Sequence, residues 1–162
     1  MFKIKKELIN PFIEAATHVL PQIVTGISFN RTGLMISNDV AVSKDRHAVI
    51  ILGVVGNVKG RVIYSLDNEL AREIASRMTL ESVSEEMGTL ARSALAEMTN
   101  MVTGRAIALL VDSGYTVDFS PPTLFMGREI QIPESDVPAI LIPFQTQFGL
   151  LHINVAIKEV EK

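Results

Sequence analysis

The chain contains no cysteine. Disulfides, thiolate metal ligands and cysteine nucleophiles are therefore excluded. Basic clusters are nearly as scarce: Lys3, Lys5 and Lys6 form the one group and read as a polar N-terminal edge. With a net charge of -3, nothing draws the chain electrostatically to nucleic acid or to an anionic membrane. The longest apolar run, Ala48 to Val55, is far short of a bilayer span. The opening MFKIKKELINPFIEAATHVL starts basic, but Glu7, Asn10, Glu14 and His18 interrupt it, so it does not read as a signal peptide. The expected location is the cytoplasm. No Gly-x-x-x-x-Gly-Lys or Gly-x-Gly-x-x-Gly occurs, so a phosphate-cradling loop is unsupported. His18, His47 and His152 lie far apart with no carboxylate at ligand spacing, which speaks against zinc or a catalytic triad. No metal site is expected.

What is present suits a compact chain with one core. At 162 residues, 48% apolar and 20% charged, the length favours a single domain over 1–162. Leu8, Phe12, Ala16, Val19 and Leu20 recur at helical spacing, which predicts a helix from Lys5 to Leu20 with Pro11 in its first turns. Extended segments are expected at Ile27–Met35 and Val40–Ser43. Ala48–Val55 and Lys59–Leu66 read as a hairpin about Gly56-Asn57. Asp67 is the expected N-cap of a helix to Met78. A long central helix is predicted from Ser82 to Leu110, opened by a capping box at Ser82-Val83-Ser84-Glu85. Its expected core stripe includes Met87, Leu90, Leu95, Met98, Met101 and Val102, and Asp112-Ser113-Gly114 should end it. Tyr115–Phe119, an extended stretch to Ile132, and a hairpin of Ala139–Phe144 with Gly149–Lys158 across Gln145-Thr146-Gln147 complete the pattern.

The two halves resemble each other. Glu14–Leu20 aligns by type with Glu97–Thr103, and Ala48–Leu66 parallels Ala139–Ile157. A long helix followed by extended segments and a closing hairpin thus occurs twice, which predicts an internal pseudo-two-fold repeat. Where the second copy has Asn100, the first has Thr17. The fold class expected is α/β of the α+β kind: a mostly antiparallel sheet with two long helices packed on one face.

One stripe of the central helix stands out. At 100° per residue, Ser93, Glu97 and Asn100 lie within about 60° of one another. Around them Ala96, Thr99, Thr103 and Gly104 are small and uncharged. A merely solvated face would carry several Lys, Glu and Arg. A smooth surface around one acid and one amide suits docking to another protein.

Ser-x-x-x-Glu-x-x-Asn on a long helix, followed about twenty residues later by proline, resembles the signature of the CheC/CheX/FliY family, phosphatases of the chemotaxis response regulator CheY. One complete motif, a degenerate counterpart at Glu14 and Thr17, and the chain length resemble its CheX branch most. Neither Pro121 nor Pro122 stands quite as far from Asn100 as the family proline does. The resemblance implies hydrolysis of an aspartyl phosphate on a phosphorylated CheY-like partner, with Glu97 and Asn100 catalytic. Glu97 would pair with the partner's lysine, and Asn100 would hold the attacking water. Ser93, Thr103, Gly104 and Pro122 would line the docking surface. It also implies no cofactor of the chain's own, magnesium supplied by the partner, and a homodimer formed through sheet edges. Two alternatives stand beside this reading: a non-catalytic module that binds a response regulator, and a helix face that builds an oligomer.

Overall fold

Alternating side chains set the sheet, and the sheet positions the helices. A computed structural model describes residues 4–37, 45 and 47–161. Helix α1 (Lys6–Ile23) leads to two short strands, β1 (Asn30–Arg31) and β2 (Met35–Ile36), and then to the hairpin β3 (His47–Gly56) and β4 (Val58–Asp67). Helices α2 (Asn68–Thr79) and α3 (Thr89–Asp112) follow. Strands β5 (Val117–Phe119) and β6 (Thr123–Gly127) precede the second hairpin, β7 (Ile140–Thr146) and β8 (Gly149–Glu159).

One antiparallel sheet contains all of these strands, in the order β1-β7-β8-β4-β3-β5, with β2 also on β7 and β6 also on β3. The topology carries the repeat anticipated from the sequence. The short strands after α1 border the second hairpin, and the short strands after α3 border the first. The two hairpins meet where β4 and β8 pair from Val58↔Glu159 to Leu66↔Leu151. Each half therefore closes the sheet edge of the other. The halves are interlaced, and neither has a complete sheet alone.

On the helix side, Ile50, Leu52, Tyr64, Phe144, Ile153 and Val155 are fully or almost fully buried and join one cluster with Phe12, Leu20, Ile74, Leu95 and Met98. Successive strand residues point to opposite faces, so Val49, Ile63 and Ala156 face away from the helices. They too are completely buried. Part of the cover comes from the segment before β7: Val137 and Ala139 pack on Ala156, and the Arg61 guanidinium donates to the Pro133 carbonyl. Burial on both faces explains why Ala48–Val55 is continuously apolar rather than alternating.

Glycine is required where strands cross closely. Gly60 has φ +149°, and a Cβ there would lie 1.9 Å from the Ala156 carbonyl oxygen. At the hairpin tip, Gly56 has φ +124° and a Cβ would fall 2.2 Å from the Thr116 carbonyl oxygen. Asn57 then ties the tip to the approach of β5, its N–H donating to Thr116 O and its side-chain oxygen accepting from Thr116 N–H.

Several expectations require correction. The central helix starts at Thr89, with Gly88 in extended conformation before it and no side-chain cap, so the Ser82–Glu85 capping box does not form. Residues 82–88 are a loop held by two arginines: Arg72 donates to Val83 O and Arg92 to Met87 O, with Met87 buried as its anchor. Asp67 precedes α2 but makes no cap bond; its carboxylate accepts from Leu150 N–H at 2.8 Å. That bond spans the two halves, a demand that outweighs local capping. Leu90 and Met101, expected in the core, are 56% and 39% exposed. The buried face of α3 is instead rotated toward Thr99, Thr103 and Ala106. The final turn is Gln147-Phe148, one residue later than expected, since Thr146 pairs Gly149. No strand follows Gly127 before Ile140, and Ile27–Met35 is reduced to the two-residue β1 and the start of β2. The expected segment Val40–Ser43 lies outside the described residues.

Helix α3 is long and apolar enough by composition to cross a membrane, with a mean hydropathy of 1.2 and half of that stretch buried within the protein. Core packing accounts for that composition, because α3 contacts α1, α2, β5 and β6.

The ends of the two halves are joined by ionic contacts. Lys5 Nζ donates to Glu159 Oε2 at 2.6 Å, and Tyr115 OH donates to Glu159 Oε1 at 2.8 Å. The Lys5 and Tyr115 bonds hold the Glu159 carboxyl below its usual range. The bond to Glu159 pushes the Tyr115 phenol up to about 12. A carboxylate whose folded pKa is depressed adds stability above its unfolded pKa and loses it as pH falls through the folded value. Glu159→Gln should therefore shrink the stability difference between pH 6 and pH 3, read as urea midpoints; the effect is small because the pair is exposed. Gly60→Ala should cost about 2–3 kcal/mol, seen as a lower denaturation midpoint with unchanged slope.

Candidate functional site

Among the described residues, the polar stripe lies on a side of α3 that is largely uncovered. Taking Met98 as the buried reference, steps of 100° put Ala91, Leu95 and Val102 within about 60° of it and Ser93, Glu97, Asn100 and Gly104 about 100–160° away. Ser93 and Glu97 are exposed, and Asn100 is half-buried at the surface. Among the described residues, none of these three side chains has a hydrogen-bond or ion-pair partner within the chain. An exposed carboxylate and an amide one turn apart, both free of internal bonds, are available to a second molecule.

Two neighbours of the stripe were expected on the docking surface and behave differently. Gly104 is half-buried one turn beyond Asn100, and a Cβ there would meet the Phe119 ring of β5 at 3.6 Å. Its lack of a side chain lets β5 lie against the helix. Thr103 is completely buried, and its hydroxyl bonds Tyr64 OH at 2.7 Å. Burial of that phenol pushes its pKa up, the Thr103 bond opposing only in part. Thr103 is therefore a core residue, not a docking contact. Thr99 is buried too, its hydroxyl returned to Ala96 O. The reason is rotational: Thr99 and Thr103 sit about 100–160° and 60–120° away from the stripe residues, on the face that meets the sheet.

Pro122 is half-buried in the connection from β5 to β6. Ser120 anchors that connection, its Oγ accepting from Gly53 N–H and its N–H donating to Gly53 O. On α1, the counterpart residues Glu14 and Thr17 are exposed, and the Thr17 hydroxyl donates to its own helix at Ile13 O. That face presents an acid without an amide.

Ser93 and Glu97 also line a shallow hollow of about 400 Å³ with Met78, Thr79, Leu90 and Ala94. A larger hollow of about 550 Å³ lies behind α2 among Asn68, Arg72, Glu73 and Glu85 and contains no stripe residue. The stripe's neighbour is the better candidate, because an open shallow surface suits a protein partner whereas small molecules favour enclosed apolar clefts. The apolar shoulder of the site escaped the sequence reading, although the signal was there. Leu90 is seven residues before Glu97 and Met101 four after, so each projects within about 40° of the acid. Among the described residues, no three His, Asp or Glu side chains converge as metal ligands.

Residues 48–145 match the family model described as chemotaxis phosphatase CheX. The CheY-P phosphatase CheX of Thermotoga maritima is 34% identical over 84 residues, which are 52% of this chain and 54% of that protein. The chain thus aligns with about half the length of this curated relative. A CheC-like superfamily protein from Shewanella sp. PV-4 superposes with a TM-score of 0.81 at 28% identity, covering 96% of this chain and 99% of the other. CheX in the complex of CheX, CheY, BeF3 and magnesium from Borrelia burgdorferi superposes with a TM-score of 0.82 at 25% identity, covering 94% and 98%.

Thr103→Val should lower stability by about 1–2 kcal/mol by leaving the Tyr64 hydroxyl unsatisfied, with no change in the surface that partners meet. Thermal unfolding and a partner-binding titration on the same variant check both halves of this expectation.

Proposed function

This chain belongs to the chemotaxis phosphatase CheX family, and we propose that it hydrolyses the aspartyl phosphate of a CheY-type response regulator. The observation that carries the reading is a surface pair, Glu97 and Asn100, on a well-packed helix, neither side chain bonded to any other among the described residues. Support also comes from a relative named CheY-P phosphatase and from a similar protein crystallised with CheY, BeF3 and magnesium.

An acyl phosphate is already reactive, so the chain need only bring water in line and avoid adding negative charge near the phosphoryl oxygens. The water oxygen attacks phosphorus, the bond to the aspartyl oxygen breaks, and the carboxylate leaves as inorganic phosphate forms. Asn100 enters the partner's site and orients the water through its neutral amide, which both donates and accepts. Glu97 pairs with the partner's active-site lysine and so sets the depth at which Asn100 enters. Ser93, Gly104 and Pro122 form the margin of the contact. The magnesium is the partner's, and this chain contributes no cofactor. The working assembly is a cytoplasmic homodimer joined at sheet edges; Leu34, Met35 and Ile36, exposed beside β7, offer such an edge.

Asn100→Ala should slow decay of phosphorylated receiver by on the order of 10²-fold or more while binding persists. Decay of radiolabelled phospho-receiver with wild type and variant checks this. Equal rates for the two proteins overturn the role of Asn100, and a wild type that binds without accelerating decay identifies a non-catalytic binding module instead.

A further inference from the structure

Leu80 is 89% exposed, and it sits at the end of α2 in left-handed conformation with φ 59°. A leucine gains nothing from either condition. Its Cβ crowds the following carbonyl there, which is why glycine usually fills that place. Its neighbour Thr79 lines the 400 Å³ hollow with Leu90, Ser93 and Glu97. Thr79 and Leu90 also line a second, smaller hollow with Glu81 and Ser84. Leu90 thus lines the hollow into which Glu97 opens, Leu80 is the exposed residue that follows Thr79 of its wall, and Glu81, Glu85 and Glu86 stand exposed in the loop after it. Neither the left-handed backbone nor the exposed apolar side chain contributes to folding, so both features direct attention to contact with a second molecule.

We propose that Leu80 and Leu90 form an apolar clamp that selects the phospho-receiver by gripping an aliphatic or aromatic side chain next to a cation on its surface. The inference rests on the phosphatase reading and deepens it by naming what recognises the partner. Two arguments set the occupant. The clamp is continuous with the Glu97 and Asn100 stripe, so whatever docks there covers both. The charged residues lining the two hollows, Glu97 and Glu81, are acidic, so the matching surface is apolar with a basic margin. Leu80 and Leu90 are positioning residues: they do not touch the phosphoryl group, and they act by holding the receiver against the stripe.

The probe is the chemotaxis receiver protein from the same organism, phosphorylated for turnover and loaded with beryllium fluoride for binding. Leu90→Asp places an acid in the first turn of α3, where the helix dipole favours it, so the variant folds. It should raise KM and Kd by on the order of tenfold or more, because an apolar side chain loses its burial, with kcat nearly unchanged. Leu80→Gly should melt a few degrees higher, since the left-handed strain is relieved, yet show the same rise in KM. Val160→Ser, beyond the opposite end of α3, is the control and should change neither. A merely structural role predicts no such division between melting temperature and KM. If both leucine variants keep wild-type KM and Kd, the clamp is refuted while the phosphatase reading stands. If the wild type neither binds nor dephosphorylates the receiver, the phosphatase reading fails and the clamp falls with it.

Discussion

Helix α3 is gripped by α1, by α2 and by the β5–β6 margin of the sheet, and the rest of the molecule can be understood from that grip. With Leu95, Met98, Val102 and Leu110 completely buried, the helix cannot roll without opening a close-packed core, at a cost of several kcal/mol. Whatever remains on its uncovered side is thereby aimed in a fixed direction. Buried hydroxyls add to the constraint: the Tyr64–Thr103 bond fixes the rotation of α3 against β4, and breaking it would strand two polar atoms.

That rigidity matters for the chemistry assigned to the stripe. A water held in line for attack must be placed within fractions of an ångström, and an amide on a loop would lose much of the advantage to motion. Glu97 and Asn100 occupy consecutive turns of a helix locked along its length, so docking one side chain sets the position of the other. The interlaced halves extend the same constraint to the whole chain. Asp67 holds Leu150, Lys5 holds Glu159, and β4 pairs β8, each linking the first half to the second. The first half kept the architecture but carries Thr17 where the second has Asn100, and Thr17 spends its hydroxyl on its own helix.

The elements with strong periodicity were legible in the sequence. Both hairpins, α1, α2 and the body of α3 lie where apolar spacing placed them, because each has a face that only one partner can bury. The repeat followed from pattern, and the antiparallel sheet with helices on one face followed from pattern together with the family resemblance. Boundaries and roles set by distant contacts were not legible. Asp67 has the residue type of a helix cap, but Leu150, far along the chain, claims its carboxylate. The Ser82–Glu85 motif has the letters of a capping box, yet Arg72 and the buried Met87 hold that segment as a loop. Thr103 looked like a docking residue because a small polar side chain on a helix carries no mark of which neighbour it meets. Leu90 and Met101 were assigned to the core on apolarity alone, although their angle to Glu97 placed them beside the stripe.

The central claim is that the Asn100 carboxamide leaves this protein's surface and enters a partner's phosphoryl site. Nuclear magnetic resonance of the Asn100 side-chain amide, in protein labelled with nitrogen-15, tests it most directly. On adding receiver loaded with beryllium fluoride and magnesium, the account predicts a large shift of that resonance and protection of its protons from solvent exchange. A resonance that stays at its free position while the complex forms would contradict it.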